Sequence, residues 1–512
     1  MRERPSPDFW EKHSWQWMWV FILIGIALRV AQFASNRSLW LDEALLALNV
    51  LHRSFGGLLN PLDYHQGAPF GFLLLEKLIT KLAGGRELAL RSLPLGFGIL
   101  ALLTFPRVAR SYVSTKAVPV AFSLLALGGP LIYYSSEAKQ YSSDVAVTIM
   151  LLWVVSKVEA ASFSNRQLVA SALLGCGAVW FSHPAAFVLT GCGVTLLSFA
   201  FFRRDWPRLV YLSIVCGLWG LSFAAYYLIS LHPLSTDQAL LNFWRNYFPP
   251  GPFWSLTSVS FLIDRFFGLF DDPVQVLSVV GTACFVMGCA RLARRNPIRL
   301  WLLTAPLIVA VIAAFAHLYP LGGRLFLFAV PILLMLIGEG VRLLDDSKWR
   351  FVQQVQIVLV VLLLAKPVWM DARTLVHPQR PEDIRLAIQY IQSHQQEDDV
   401  WFVYHWARYQ FLYYSEVYYL QPPAVRIGAD CGVDRTCYVA DIEELRGQPR
   451  VWVLFSHLWV GDGLQEEPFF IQQLDRMGVR LDKFQSTGAR AYLYDLRQSA
   501  KDSGEASLQS RK

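Results

Sequence analysis

The 512-residue chain is 54% hydrophobic and 17% charged, with a mean hydropathy of +0.36. These values argue against a string of soluble domains, because the apolar residues gather in runs that can each cross a bilayer as a helix of roughly 20 residues. The formal charge of +7 does not point to nucleic acid, since the basic residues fall in short loops between the apolar runs.

The first run, "WMWVFILIGIALRVAQFA" (Trp17 to Ala34), is longer than a usual signal-peptide core and has no clear small-residue cleavage site after it. It reads as a permanent span. Arg29 within it either snorkels to the interface or faces a polar cavity. Further spans are expected near 89–106, 117–134, 143–157, 167–183, 185–202, 208–231, 273–290, 300–317, 324–342 and 351–366, eleven in all. Such helices satisfy their own backbone hydrogen bonds, which is what lipid demands. The connections "PRVARSYVSTK", "SKVEAASFSNRQ", "RRDWPR", "RLARRNPIR" and "RLLDDSKWR" are short and basic, which marks the cytoplasmic face. The N-terminus is therefore expected inside and, after eleven crossings, the C-terminus outside.

Residues 35–88 form the first outer loop. It holds "SLWLDEALLALN" (38–49), where Asp42 and Glu43 sit side by side in an otherwise apolar stretch. Two interfacial helices are expected, at 39–51 and 69–85, joined by the Gly/Pro-punctuated "FGGLLNPLDYHQGA". The second is too short, and too interrupted by Glu76, Lys77 and Lys81, to span.

From about Asp371 the composition turns polar. "PEDIRLAIQYIQSHQ" has helical spacing, "DVWFVYH" and "RVWVLFS" read as buried strands, and "EPFFIQQLDRMGV" reads as a helix. The expected fold class is thus an α-helical polytopic membrane protein with a small C-terminal extracytoplasmic α/β domain. Its divisions are a membrane domain at 1–370, the α/β domain at 371–498 and a disordered tail at 499–512. Five of the seven cysteines lie in spans; Cys431 and Cys437 flank "GVDRT" in the outer domain, where a disulfide is expected in an oxidising compartment. No zinc-ligand spacing is present.

The polar residues that remain collect at the outer edge. They are Asp42 and Glu43, then His65 and Gln66 in "DYHQGAP", then "YYSSEAKQYSSD" with Glu137, Lys139, Gln140, Tyr141 and Asp144. His183 in "WFSHPAAF" and Arg324 in "LYPLGGRLFLF" complete the set. If the end of the second turn is already helical, Glu137, Gln140, Tyr141 and Asp144 share one face. Each residue has a plainer reading. Acidic residues suit a helix's first turn, His183 suits an interfacial turn, Arg324 suits a headgroup anchor, and the Ser-rich turn suits solvent. Their gathering on one side is harder to assign to chance.

"LWLDEA", "DYHQGAPFGFLLLEKL", "LALRSLPLGFG" and "YYSSEAKQYSSDV" resemble the GT-C superfamily of membrane glycosyltransferases, and within it the protein O-mannosyltransferase and aminoarabinose transferase-like group. The resemblance is clearest over residues 38–145. It implies transfer of a sugar from a polyprenyl-phosphate donor to a lipid, glycan or protein acceptor at the extracytoplasmic face, with inversion. On this resemblance Asp42 is the base or a metal ligand and Glu43 its support. Glu137 is an acceptor ligand, or joins Asp42 in holding a divalent cation such as Mg or Mn. Arg324 and Lys139 face the leaving phosphate, and His65, Gln66, Tyr141 and His183 contribute to substrate binding. The lipid bilayer is the remaining partner, no nucleic acid is expected, and a prokaryotic plasma (inner) membrane is the expected location. A transporter or flippase, or a polymerase or ligase of lipid-linked glycans, stands as the alternative; a transporter would show repeats and midplane polar groups.

Overall fold

The computed structural model describes residues 9–160, 165–342, 350–432, 434–458 and 465–497. The tail expected to be disordered (499–512) and parts of the basic connections (161–164 and 343–349) lie outside the described residues. In chain order the helices are α1 (Phe9–Ala34), α2 (Leu41–His52), α3 (Phe70–Ala83), α4 (Glu87–Tyr112), α5 (Val118–Ala126), α6 (Gly129–Tyr134) and α7 (Tyr141–Ala160). There follow α8 (Asn165–Phe181), α9 (Ala185–Phe202), α10 (Trp206–Tyr226), α11 (His232–Ser235), α12 (Gln238–Phe243), α13 (Leu256–Asp271) and α14 (Ser278–Arg295). The last are α15 (Pro297–Phe315), α16 (Val330–Val341), α17 (Arg350–Val376), α18 (Ile384–His394), α19 (Arg408–Val417), α20 (Arg435–Glu443) and α21 (Glu466–Met477).

The chain divides into two compact units. One, here the membrane unit, comprises Met1–Ser35, Arg53–Ala83 and Leu88–Pro378; the other, the α/β unit, comprises Asn36–His52, Gly84–Glu87 and Gln379–Lys512. The helix carrying Asp42 and Glu43 thus belongs to the same compact unit as the C-terminal residues.

Within the membrane unit, eight helices among the described residues are long and apolar enough to cross a membrane, by length and composition. The other three expected spans are helical but differ. At 117–134 the chain forms two short helices, α5 and α6, because Gly128 turns extended (ψ 105°) just before Gly129 and Pro130. Helix α8 has 17 residues, and α14 starts at Ser278 and ends on Arg294 and Arg295. Arg29 settles its two readings inside the protein. It is buried, and its guanidinium donates to Gly25 O (3.0 Å), Ala126 O (3.1 Å) and Leu125 O (3.2 Å). The charge therefore satisfies carbonyls that the break after α5 leaves without helical partners. Helices α14 and α16 cross at backbone contact. A Cβ on Gly288 would stand 1.9 Å from Leu336 O, so only glycine fits, in the manner of small-residue packing between spans. At one end of that crossing Arg291 Nε pairs with Glu339 Oε1 at 2.8 Å, and Ser114 N donates to Glu339 Oε2 at 2.7 Å.

The α/β unit is built on a five-stranded sheet. Its strands are β1 (Val400–Val403), β2 (Ala424–Ile427), β3 (Val451–Ser456), β4 (Val479–Ser486) and β5 (Ala489–Asp495), in the order β2-β1-β3-β5-β4. β1 runs parallel to both β2 and β3, while β5 is antiparallel to β3 and β4. β3 is buried along its whole length, as befits a central strand covered on both faces. β4 and β5 form a hairpin through Thr487 and Gly488, whose φ of +65° meets the need of such a two-residue turn for a left-handed residue. Trp401 and Trp452 are buried in the core, and the buried Asp399 is neutralised by Arg450 (2.7 Å) and takes the indole N–H of Trp452 at 2.9 Å. Cys431 and Cys437 are joined by a disulfide, with Cα atoms 5.8 Å apart.

Candidate functional site

In the α/β unit, Asp42 and Glu43 occupy the first turn of α2, where carboxylates complement the exposed N–H groups. Successive residues on a helix point about 100° apart, and the two carboxylates differ accordingly. Glu43 is fully buried, and its Oε2 reaches back to the N–H of Trp40 at 3.4 Å. This is the N3 half of a capping box, so Glu43 is committed to starting the helix. Asp42 is half-buried, and Leu45, Leu46 and Leu48 are buried along the helix behind it.

The segment leading into α2 is tied to residues far along the chain. Leu39 N donates to the Tyr414 hydroxyl (2.9 Å), Leu39 O accepts from Gln410 Nε2 (2.9 Å), and Leu41 N donates to Glu382 Oε2 (3.0 Å). Ser38 Oγ donates to Asp383 and accepts from Arg385 N (3.2 Å). The other entry into this unit is held by Glu87, which takes Arg385 Nη1 (2.5 Å) and the hydroxyls of Tyr414 (3.1 Å) and Tyr418 (2.6 Å). None of these partners stands out in the sequence. They lie in an α/β domain whose local pattern signals only helices and strands. At the carboxyl end of β1, His405 packs between Tyr404 and Tyr438, and burial lowers its pKa to about 4 against the favourable field of Asp430.

In the membrane unit, the turn between α6 and α7 carries Glu137, Lys139 and Gln140, all buried, so this Ser-rich turn is not a solvated loop. The expected shared helix face begins later than its pattern suggests. Residues 135–140 are a turn, and the first helical bond, from Asp144 N to Gln140 O (3.0 Å), leaves Glu137 ahead of the helix. Lys139 Nζ donates to Gln66 Oε1 at 2.6 Å, and Gln140 Nε2 to Gly67 O at 3.3 Å, which brings "DYHQGAP" against "YSSEAKQY". Tyr64 and His65 both adopt left-handed backbone (φ 62° and 52°), uncommon for such residues, and His65 Nδ1 bonds Asp237 Oδ2 at 2.7 Å. His183 Nε2 shares a 2.9 Å hydrogen bond with the Tyr226 hydroxyl. Arg324 follows Gly322 (φ +149°) and Gly323 (φ +54°), and its guanidinium lies 5.6 Å from the Tyr141 ring centre and 5.9 Å from that of Trp244. The loop after α12 bounds a cavity of about 740 Å³ lined by Phe248, Pro249, Phe261 and Phe315, with Arg245 and His317.

A divalent cation takes about six oxygen ligands. Among the described residues no three His, Cys, Asp or Glu side chains gather as such a group would need.

No protein-family model matches the sequence, and neither does any curated protein sequence. Solved structures do. ArnT from Cupriavidus metallidurans superposes with a TM-score of 0.55 at 11% identity, covering 94% of this chain and 98% of ArnT. Its complex with undecaprenyl phosphate gives 0.54 at 12% identity, covering 93% and 98%. The oligosaccharyltransferase AglB from Archaeoglobus fulgidus, in complex with an inhibitory peptide and a dolichol-phosphate, gives 0.52 at 12% identity, covering 95% of this chain and 74% of AglB. The chain has the GT-C fold. With eight such apolar helices among the described residues, it is a multi-pass membrane protein. The fold by itself does not decide the activity, because fold and function are separate matters.

Proposed function

We propose that this GT-C protein transfers a sugar from a polyprenyl-phosphate donor to an acceptor hydroxyl at the extracytoplasmic face, inverting the anomeric centre. The observation that carries this reading is the match, over more than nine-tenths of the chain, to ArnT bound to undecaprenyl phosphate and to AglB bound to a dolichol-phosphate. Asp42 takes the acceptor's proton as its oxygen attacks the anomeric carbon. The bond from that carbon to the phosphate oxygen breaks, and the phosphate leaves with the electron pair. Arg324 and Lys139 supply the positive charge that a leaving phosphate needs, Arg324 with a planar fork suited to two of its oxygens. Glu43 starts the helix that presents Asp42; Glu137, His65, Gln66, Tyr141 and His183 are assigned to substrate contacts. The apolar cavity beside Phe248 and Phe261 has the chemistry a prenyl tail requires.

In this reading the N-terminus is cytoplasmic and the α/β unit outside; the short basic connections support that orientation, as does the Cys431–Cys437 disulfide, which suits an oxidising surrounding. A reporter fused after residue 500 that is active only in the cytoplasm would overturn this orientation. The function itself is tested by deleting the gene and examining the lipid-linked sugars. Accumulation of one polyprenyl-phosphate sugar, cleared by the wild-type chain, is expected; an unchanged lipid pool sinks the reading.

A further inference from the structure

The start of α2 lacks an ordinary cap. Helices favour Ser, Thr, Asp or Asn at this place because a side-chain oxygen then accepts one of the orphan N–H groups. Trp40 stands there instead, and an indole can only donate. The missing acceptor comes from 341 residues away, where Glu382 Oε2 takes the N–H of Leu41 at 3.0 Å. The same oxygen accepts from Gln410 Nε2 at 2.7 Å, and Oε1 takes Nδ1 of His457 at 2.5 Å. Gln410 closes the arrangement by donating to Leu39 O at 2.9 Å.

We infer that Glu382, held by Gln410 and His457, is a positioning residue for Asp42: it caps α2 in place of a local residue and so fixes the register and direction of the turn that bears the base. This rests on the proposed role of Asp42. The physical case is that Glu382, Gln410, Ser38 and Leu39 are all buried, so each bond acts in a low-dielectric surrounding where a lost partner is costly. Asp42 follows Leu41 directly, with no residue between cap and base to absorb a shift. Displacing a reacting group by about 1 Å can cost roughly 100-fold in rate. The charge also matters. A neutral amide at position 382 cannot accept from Leu41, Gln410 and His457 together, because one of its two heads is a donor.

The test uses the full chain in membranes, with hydrogen exchange of peptide 36–45 as a readout independent of activity and β3 (451–456) as internal reference. Glu382→Gln should speed exchange in 36–45 by about tenfold or more while leaving β3 unchanged. Using the lipid-phosphate sugar that accumulates in the deletion strain, kcat should fall roughly ten- to 100-fold with donor KM within about twofold, as expected for a misplaced base. His457 is part-exposed and gives a gentler pair. His457→Gln keeps a donor to Glu382 and should behave like wild type, whereas His457→Phe should follow Glu382→Gln. Unchanged exchange in 36–45 and unchanged kcat in Glu382→Gln overturn the inference. So does equal acceleration in β3, which would make Glu382 a general buttress. Near-normal transfer by Asp42→Asn, with local exchange still responding to Glu382, overturns the base assignment and leaves the tie standing.

Discussion

The two units of the chain solve the same burial problem in opposite solvents. In the membrane unit, large apolar side chains point outward, with Phe202 81% and Leu221 69% exposed, while Arg29, Glu137, Lys139 and Arg291 are buried. In the α/β unit the order reverses: Trp401 and Trp452 are fully buried. Lipid gives an outward leucine the surroundings it would find inside, so the membrane unit gains little by hiding it. What that unit must hide is charge and unbonded backbone. The α/β unit, in water, depends on apolar burial itself. The candidate chemistry follows this division. Residues assigned to phosphate and substrate sit in the polar turns of one unit, with Glu137, Lys139 and Tyr141 buried, and the assigned base sits on a capped helix of the other.

The largest expected effect is chemical. Asp42→Asn keeps the side chain's size but removes its basicity, and should cost about 100- to 10,000-fold in transfer at normal protein levels. Glu43→Gln should cost less, because an amide oxygen can still accept from Trp40. Transfer assays in membranes decide it, and equal losses would break the assigned difference between the two carboxylates. Next, Trp452→Ala should destabilise the α/β unit by about 3–5 kcal/mol, whereas Leu221→Ala, exchanging side chain for lipid, should stay within about 0.5 kcal/mol. Thermal unfolding in nanodiscs measures both, and similar losses would erase the contrast between the units. Third, Arg324→Ala should weaken donor binding by about 1.5–3 kcal/mol, with Arg324→Lys intermediate. Unchanged donor affinity and turnover would return Arg324 to the role of an interfacial anchor.

The smallest effect is a pH dependence confined to the α/β unit. His405 has a folded pKa of about 4, below the ordinary 6.5, because burial disfavours its charged form. Between these values the unfolded chain binds the extra proton, so stability falls as pH drops from 6.5 toward 4. Burial raises the Glu466 carboxyl above its usual range, which acts in the opposite sense. The comparison is therefore between variants: His405→Gln should flatten the acid limb of the unfolding temperature relative to wild type, and an unaltered limb would remove His405 as its source.

How far these features could be read from the residues depends on range. Apolar runs and basic loops announce the spans because lipid acts on every residue of a run. Runs of eleven expected spans and a continuous stretch at 117–134 miss the break at Gly128, whose backbone depends on Gln275 bonding Gly129 at 2.7 Å from far along the chain. β1, β3 and α18 are legible from apolar pattern. β2 and β4 are not, since β2 is mostly exposed and β4 alternates only weakly. Asp42 is conspicuous because a carboxylate among leucines has no bland local neighbour. Glu382 and Gln410 are invisible, being ordinary polar residues in a polar domain whose partners lie more than 300 positions earlier.

That separation sets an order of events during synthesis. Residues 36–52 emerge early, but their partners at 382–416 are made more than 300 residues later. At about 5–20 residues per second, roughly 15–70 s pass before the two can meet. During that wait α2 lacks its cap and its apolar side lacks the surface it finally covers. A chain cut before residue 382 would keep the eight membrane-length apolar helices found among the described residues and still lack the groups that hold the start of α2. The turn that bears the assigned base is thus tied down last, after the α/β unit's own C-terminal residues have been made.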